Sequence, residues 1–212
     1  MHMFIMRSFT NEELNSSVAH LLVNQDNTAI LIDIFGLDNT IINFLEKRNI
    51  ELTTIILTNG NINHGLGIDN IVKKYPEVNL IIDPEEYDRL ITNINKNESQ
   101  KTPWDIKHKI FINKSFQLVI KNFEFSFDKF EINNELKHMF YTKEQKLLFV
   151  GDIPLCDQAD FTSSNSKEVA KTAIKYIFEN YGTEVNIVSS HSENTFKLDE
   201  IILDGKKFKE II

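Results

Sequence analysis

The chain has one cysteine, Cys156, in 212 residues. That excludes an intrachain disulfide framework and any cysteine-rich zinc site. Positive charge is also short: 23 Lys and Arg against 31 Asp and Glu leave a net charge of −8. Nucleic-acid binding would need a basic patch, which this balance argues against. Long apolar runs are missing. The start, Met1 to Met6, is too short for a signal peptide or a membrane span, and no later run approaches about 18 apolar residues. A cytoplasmic location is the default, with no membrane partner. Glycine is scarce, at seven residues, and 20 of the 23 basic residues are lysine. This bias fits an AT-rich genome, in which a His or Asp codon becomes an Asn codon by one base change.

What is present is ordinary for a globular protein, with 42% hydrophobic and 25% charged residues. The length suits one sizeable core, and no linker interrupts it, so a single domain over 1–212 is expected. Apolar runs predict strands over 2–9, 18–24 and 28–34, the last two joined by a turn at Asp26-Asn27. A helix is expected over about 39–47, then a buried strand at Thr53–Leu57, a helix from Ile68, and a strand over 78–82. Pro84 stands where proline is favoured, in the first turn of a helix over 84–94. The polar stretch 93–102 reads as a loop ending at Pro103-Trp104, with Trp104 either a packing anchor or a neighbour of the pocket. From 108 to 151 the chain is strand-rich, and Phe123-Glu124-Phe125-Ser126-Phe127 alternates like a sheet with one buried face. An amphipathic helix over 165–180, a strand over 185–188 and a charged tail complete the pattern.

The chemistry-bearing stretch is Leu57-Thr58-Asn59-Gly60-Asn61-Ile62-Asn63-His64-Gly65-Leu66-Gly67. It follows a strand, at the carboxyl end where open α/β sheets place their sites. It resembles the Thr-His-x-His-x-Asp-His signature of the metallo-β-lactamase fold superfamily, with Asn59 and Asn61 in place of the two histidines and Asn63 in place of the aspartate. Only His64 remains. Leu148-Phe149-Val150-Gly151-Asp152 is similar to the strand that ends in the family's bridging aspartate. Val188-Ser189-Ser190-His191 is similar to the one ending in its last metal histidine. The middle histidine falls at Asn133. Asn15-Ser16-Ser17 and Cys156-Asp157-Gln158-Ala159-Asp160-Phe161 lean toward the glyoxalase II and persulfide dioxygenase branch. The resemblance covers nearly the whole chain and implies an α/β fold, the four-layer αββα sandwich.

By the same resemblance, one metal of the dinuclear members would meet Asn59, Asn61, Asn133 and Asp152. Neutral amides are poor ligands for zinc or iron. The second metal would meet Asn63, His64, Asp152 and His191, where two histidines and one carboxylate survive. Two readings follow. In one, His64, Asp152 and His191 hold a single Zn or Fe ion, and Asn59, Asn61, Asn63 and Asn133 orient the substrate of a (thio)ester or lactone hydrolase. In the other there is no metal, and the protein is a catalytically inactive binding or regulatory module. A vacated site would then need His64 or His191 protonated beside a buried Asp152. Either reading implies a small-molecule ligand, and family members are often homodimers. Asp33 reads either as a residue supporting the metal loop or as a cap of the next helix. His138 reads as facing the strand body. Cys156 lacks a nucleophile signature. Ser189-Ser190-His191 is no serine-hydrolase elbow, and Gly65-Leu66-Gly67 is too short for a dinucleotide fingerprint.

Overall fold

The structure, a computed structural model, describes residues 4–14, 16–96, 107–112, 116–120, 123–132, 135–155, 164–203 and 206–207. Asn15, Trp104, Asn133 and the stretch 156–161 lie outside them, and so do the expectations placed there. The chain divides into two compact units, one built mainly from residues 1–114 and the other from 115–119 and 123–212.

The first unit holds a six-stranded mixed sheet. Its strands are β1 (Phe4–Asn11), β2 (Ser17–Asn24), β3 (Thr28–Ile32), β4 (Glu51–Ile56), β5 (Asn79–Ile82) and β6 (His108–Phe111), in that spatial order. β1, β2 and β3 run antiparallel as a meander. The hairpin between β2 and β3 closes where Asn27 adopts φ +60° and donates its N–H to Asn24 O. From β3 onward the pairing is parallel, so each crossover carries a helix. These are α1 (Asp38–Arg48), α2 (Ile62–Gly65) with α3 (Ile68–Lys74), and α4 (Pro84–Lys96). β3, with Ala29, Ile30, Leu31 and Ile32 all buried, reads as an apolar run because both of its faces are covered. Ile41 and Leu45 of α1, Ile68 and Ile71 of α3, and Leu90 and Ile94 of α4 pack on Ala29, Leu31, Ile55 and Leu80.

The second unit holds another six-stranded mixed sheet. Its strands are β7 (Phe116–Ile120), β8 (Phe123–Ile132), β9 (Glu135–Thr142), β10 (Leu147–Gly151), β11 (Asn186–Ser189) and β12 (Phe196–Lys197), in reverse spatial order from β12 to β7. Helix α5 (Ser164–Tyr181) makes the crossover between the parallel strands β10 and β11. Its stripe Val169, Ala173, Ile174 and Ile177 packs on Met139, Leu148, Val150 and Ile187. His138 on β9 is buried and stacks on Phe127 at 5.5 Å between ring centres, facing the strand body as expected.

Candidate functional site

Parallel pairing fixes the first cluster. Ile32 at the end of β3 lies beside Ile56 at the end of β4, so the residues that follow, Asp33 and Leu57-Thr58, leave the sheet together. Asp33 is fully buried and sits at φ +57°, a left-handed conformation that aspartate tolerates better than most residues. Its Oδ1 accepts from Thr58 N at 3.0 Å, and its Oδ2 accepts from Thr58 Oγ1 at 2.8 Å. The same Oδ2 lies 3.0 Å from His64 Nδ1. Asp33 is therefore a support of the loop. It is not a helix cap: α1 starts after Leu37, with no side-chain cap bond. Two backbone bonds tie this turn to the loop beyond β4, Ile34 N to His64 O at 2.8 Å and Gly36 N to Leu66 O at 2.7 Å. Phe35 covers the imidazole at 4.5 Å between ring centres.

The asparagines form a chain of side-chain turns. Asn59 Oδ1 accepts from Asn61 N at 2.8 Å, and Asn61 Oδ1 accepts from Asn63 N at 3.1 Å, capping α2. Asn59 Nδ2 lies 3.1 Å from His64 Nε2. The orientation of the Asn59 amide follows from its oxygen being taken by the Asn61 N–H, which leaves the NH2 to face His64. Nε2 is thus an acceptor, and the ring hydrogen sits on Nδ1, directed at Asp33. The contact with Asp33 is a hydrogen bond from Nδ1–H, and His64, only 2% exposed, has both ring nitrogens engaged.

The loop by itself, with one imidazole and three neutral amides, is a poor donor set for zinc or iron. A ligating imidazole needs a bare lone pair at the nitrogen facing the ion, usually with its other N–H held by a carboxylate. The second half of that arrangement is here, in Asp33, but the lone pair points at an amide N–H. Asn61, the next position, spends its oxygen on a helix cap. Asn63 is exposed and contributes its backbone N–H. Among the described residues, no group of three or more His, Cys, Asp and Glu is placed to hold a metal.

The loop is docked by residues the sequence pattern did not single out. The Glu86 carboxylate on α4 accepts the Gly60 N–H, and Asn93 Nδ2 reaches Gly60 O at 3.5 Å. A Cβ on Gly60 would meet Glu86 O at 2.1 Å, so the close approach requires glycine. The signal was available: Glu86 shares an i, i+4, i+8 row with Leu90 and Ile94, a polar residue on the buried stripe.

In the second unit Gly151, at φ +58°, ends β10 and turns the chain to Asp152. Ser190 N donates to Gly151 O at 3.1 Å, and His191 N donates to Ser189 Oγ at 3.2 Å. These bonds set Asp152 Oδ1 3.3 Å from His191 Nε2, with the two side chains 36% and 33% exposed. Asp152 is therefore not a buried carboxylate, because water reaches it. The structure brings Asp152 and His191 together, and it gives His64 and Asn59 to each other.

No protein-family model matches the chain. In sequence it is similar to hydroxyacylglutathione hydrolase of Buchnera aphidicola subsp. Schizaphis graminum (strain Sg), 35% identical over 83 residues. That match spans 39% of this chain and only 32% of the relative. In structure it is similar to the B3 metallo-β-lactamase BLEG-1, with a TM-score of 0.71 at 17% identity over 91% of this chain and 94% of the other. A metallo-β-lactamase from Staphylococcus aureus subsp. aureus COL aligns with a TM-score of 0.64 at 15% identity, over 92% of this chain and 60% of that one. ETHE1 from Myxococcus xanthus aligns with a TM-score of 0.63 at 12% identity, over 91% and 79%.

Proposed function

We propose that this chain, which has the metallo-β-lactamase fold, is a metal-free member that binds a small polar molecule through the amide-bearing loop 58–64. The observation that carries the reading is the 3.1 Å contact from Asn59 Nδ2 to His64 Nε2, an amide hydrogen standing where a ligating lone pair would meet an ion. An amide can donate and accept, so Asn61 and Asn63, both exposed, suit a ligand rich in hydroxyl or carbonyl groups.

The test is metal content per chain by elemental analysis, on protein purified without chelator, before and after adding Zn²⁺ or Fe²⁺. The expected result is metal near background in both samples, with thermal stabilisation by members of a polar-metabolite panel. About one equivalent of bound metal, lost in His191→Ala, would overturn it.

A second reading is (thio)ester or lactone hydrolysis by a protein holding one Zn or Fe ion on His64, Asp152 and His191. The 3.3 Å approach of His191 to Asp152 favours it, as does the sequence likeness to a hydroxyacylglutathione hydrolase, in line with the glyoxalase II branch. It requires Asn59 to release His64. In that case His64→Ala and Asp152→Ala abolish turnover of a thioester panel, and unchanged rates in both would refute those roles.

A further inference from the structure

We infer that Arg7 and Arg48, stacked on Phe44, form a binding site for a phosphate group on the first unit, separate from the loop at 58–64. The chain has three arginines in all, and two of them converge on one ring. The Arg48 guanidinium carbon lies 4.1 Å from the centre of the Phe44 ring, and that of Arg7 lies 4.7 Å from the same centre. Arg7 comes from β1 and Arg48 from the last turn of α1, so sheet and helix each contribute one cation. Phe44 is itself steadied by an edge-on contact with Phe9, 5.4 Å between centres. Arg7 also lies 5.4 Å from the Phe9 ring.

The charge pattern sets these two apart. The third arginine, Arg89, lies 3.5 Å from the Glu86 carboxylate, and Lys74 at the end of α3 is paired with Glu46. Arg7 and Arg48 have no carboxylate partner among the described residues, although acidic side chains outnumber basic ones by 31 to 23. An aromatic face attracts a guanidinium but leaves its in-plane N–H groups free of a hydrogen-bond acceptor. Two such forks carry two positive charges. Both guanidinium carbons lie 4.7 Å or less from one ring centre, so one phosphate dianion beside that ring meets the field of both charges. A single carboxylate would neutralise only half of that charge. Ile5, two residues before Arg7 on the same strand face and 73% exposed, supplies an apolar neighbour for an organic group carried by the phosphate. The net negative charge of the chain does not cancel this local field, because charges beyond roughly 8 Å are screened at physiological salt.

The test follows the side-chain Nε–Hε signals of the three arginines by NMR at pH 7.5, in phosphate-free buffer, as inorganic phosphate and then phenyl phosphate are added. Saturable shifts of Arg7 and Arg48 with Arg89 unmoved, weakened roughly tenfold or more in Arg7→Ala and in Arg48→Ala, are the expected result. Tighter binding of phenyl phosphate would make an organic phosphate ester the ligand, and equal binding would make it the bare ion; both outcomes support the site. No saturable shift with either probe, or an equal response of Arg89, would overturn it. Both arginines are exposed, so the variants should fold, which circular dichroism checks.

Discussion

Asp33→Asn is the most discriminating perturbation of the signature loop, because it keeps shape and backbone conformation and changes only what the side chain offers. Asparagine tolerates the φ of +57° at this position, so strain contributes little. The backbone N–H of Thr58 cannot turn away, so the new amide must keep its oxygen there, 3.0 Å distant. Its NH2 then takes the place of Oδ2, facing Thr58 Oγ1 and His64 Nδ1. The Thr58 hydroxyl can reverse and accept. His64 cannot adapt freely: to accept at Nδ1 it must move its hydrogen to Nε2, which faces the Asn59 NH2 at 3.1 Å. If Asn59 flips in turn, its NH2 confronts the Asn61 N–H at 2.8 Å. Thr58 Oγ1, 3.2 Å from His64 Nδ1, can accept the ring hydrogen in place of Oδ2, but the new NH2 still lies 3.0 Å from that donor. A lost bond to a charged group is worth about 1.5–3 kcal/mol, and a buried donor left unmet costs about 1–3 kcal/mol. The variant should therefore lose roughly 2–4 kcal/mol, read as a fall in the urea midpoint at constant slope by circular dichroism. The ¹⁵N spectrum of the His64 ring should meanwhile show Nδ1–H in the wild type and a changed pattern in the variant. A loss under about 0.5 kcal/mol, the scatter of ordinary surface substitutions, with the His64 pattern unchanged, would refute the relay.

Three further outcomes are expected. Gly60→Ala should destabilise by about 2 kcal/mol or more, because its Cβ would meet the Glu86 backbone oxygen at 2.1 Å. Gly182→Ala should cost only about 1 kcal/mol of backbone strain, since that glycine has φ +75° and nothing within 4 Å; thermal melts compare the two, and equal losses would contradict the clash. Burial and the hydrogen bond to Asp128 push the Tyr181 hydroxyl above its usual value of 10.0. A raised folded value means the protonated form is favoured on folding, so this contribution is complete below the unfolded value and is lost as pH rises from there through the folded value. Stability should fall above pH 10 more steeply in the wild type than in Tyr181→Phe, and matching profiles would exclude the effect. Asn59→Leu should leave His64 Nε2 without its donor and change the ring's ¹⁵N signals while Asp33 still holds Nδ1; an unaltered spectrum would show that Asn59 does not set the tautomer.

Much of the architecture was legible because periodicity is a local property. The apolar runs at β3, β4 and β5 and the stripe along α5 each declare a buried face, and the strand-to-helix order fixes parallel crossovers. The ends were less so. The strand expected to end at residue 9 runs on to Asn11, and the apolar reading could not weigh the pairing of Asn11 with Ser17 that extends it. The four-residue helix α2 was hidden inside a stretch read as polar loop, since its start is set by the Asn61 side-chain cap. Among site residues, Asp152 and His191 do meet, as strand-end positions on the parallel neighbours β10 and β11. The engagement of His64 by Asn59 was not legible, because spacing places residues near one another without saying which way an amide points. That depends on the Asn61 backbone N–H, a contact made only once the loop has folded.

The charge balance of the loop carries the last step. A buried carboxylate must be compensated, and around a metal centre the cation contributes to that compensation at a distance. Here Asp33 receives two hydrogen bonds from Thr58 and one from His64, all between 2.8 and 3.0 Å. Its charge is met by local donors. The adjoining positions, Asn59, Asn61 and Asn63, are all neutral, so they add no further charge to be compensated. The Asn59 oxygen takes the backbone N–H of Asn61, and its NH2 closes on His64, while the Asn61 oxygen takes the backbone N–H of Asn63. The result is internally satisfied, which is what a loop stable without an ion requires.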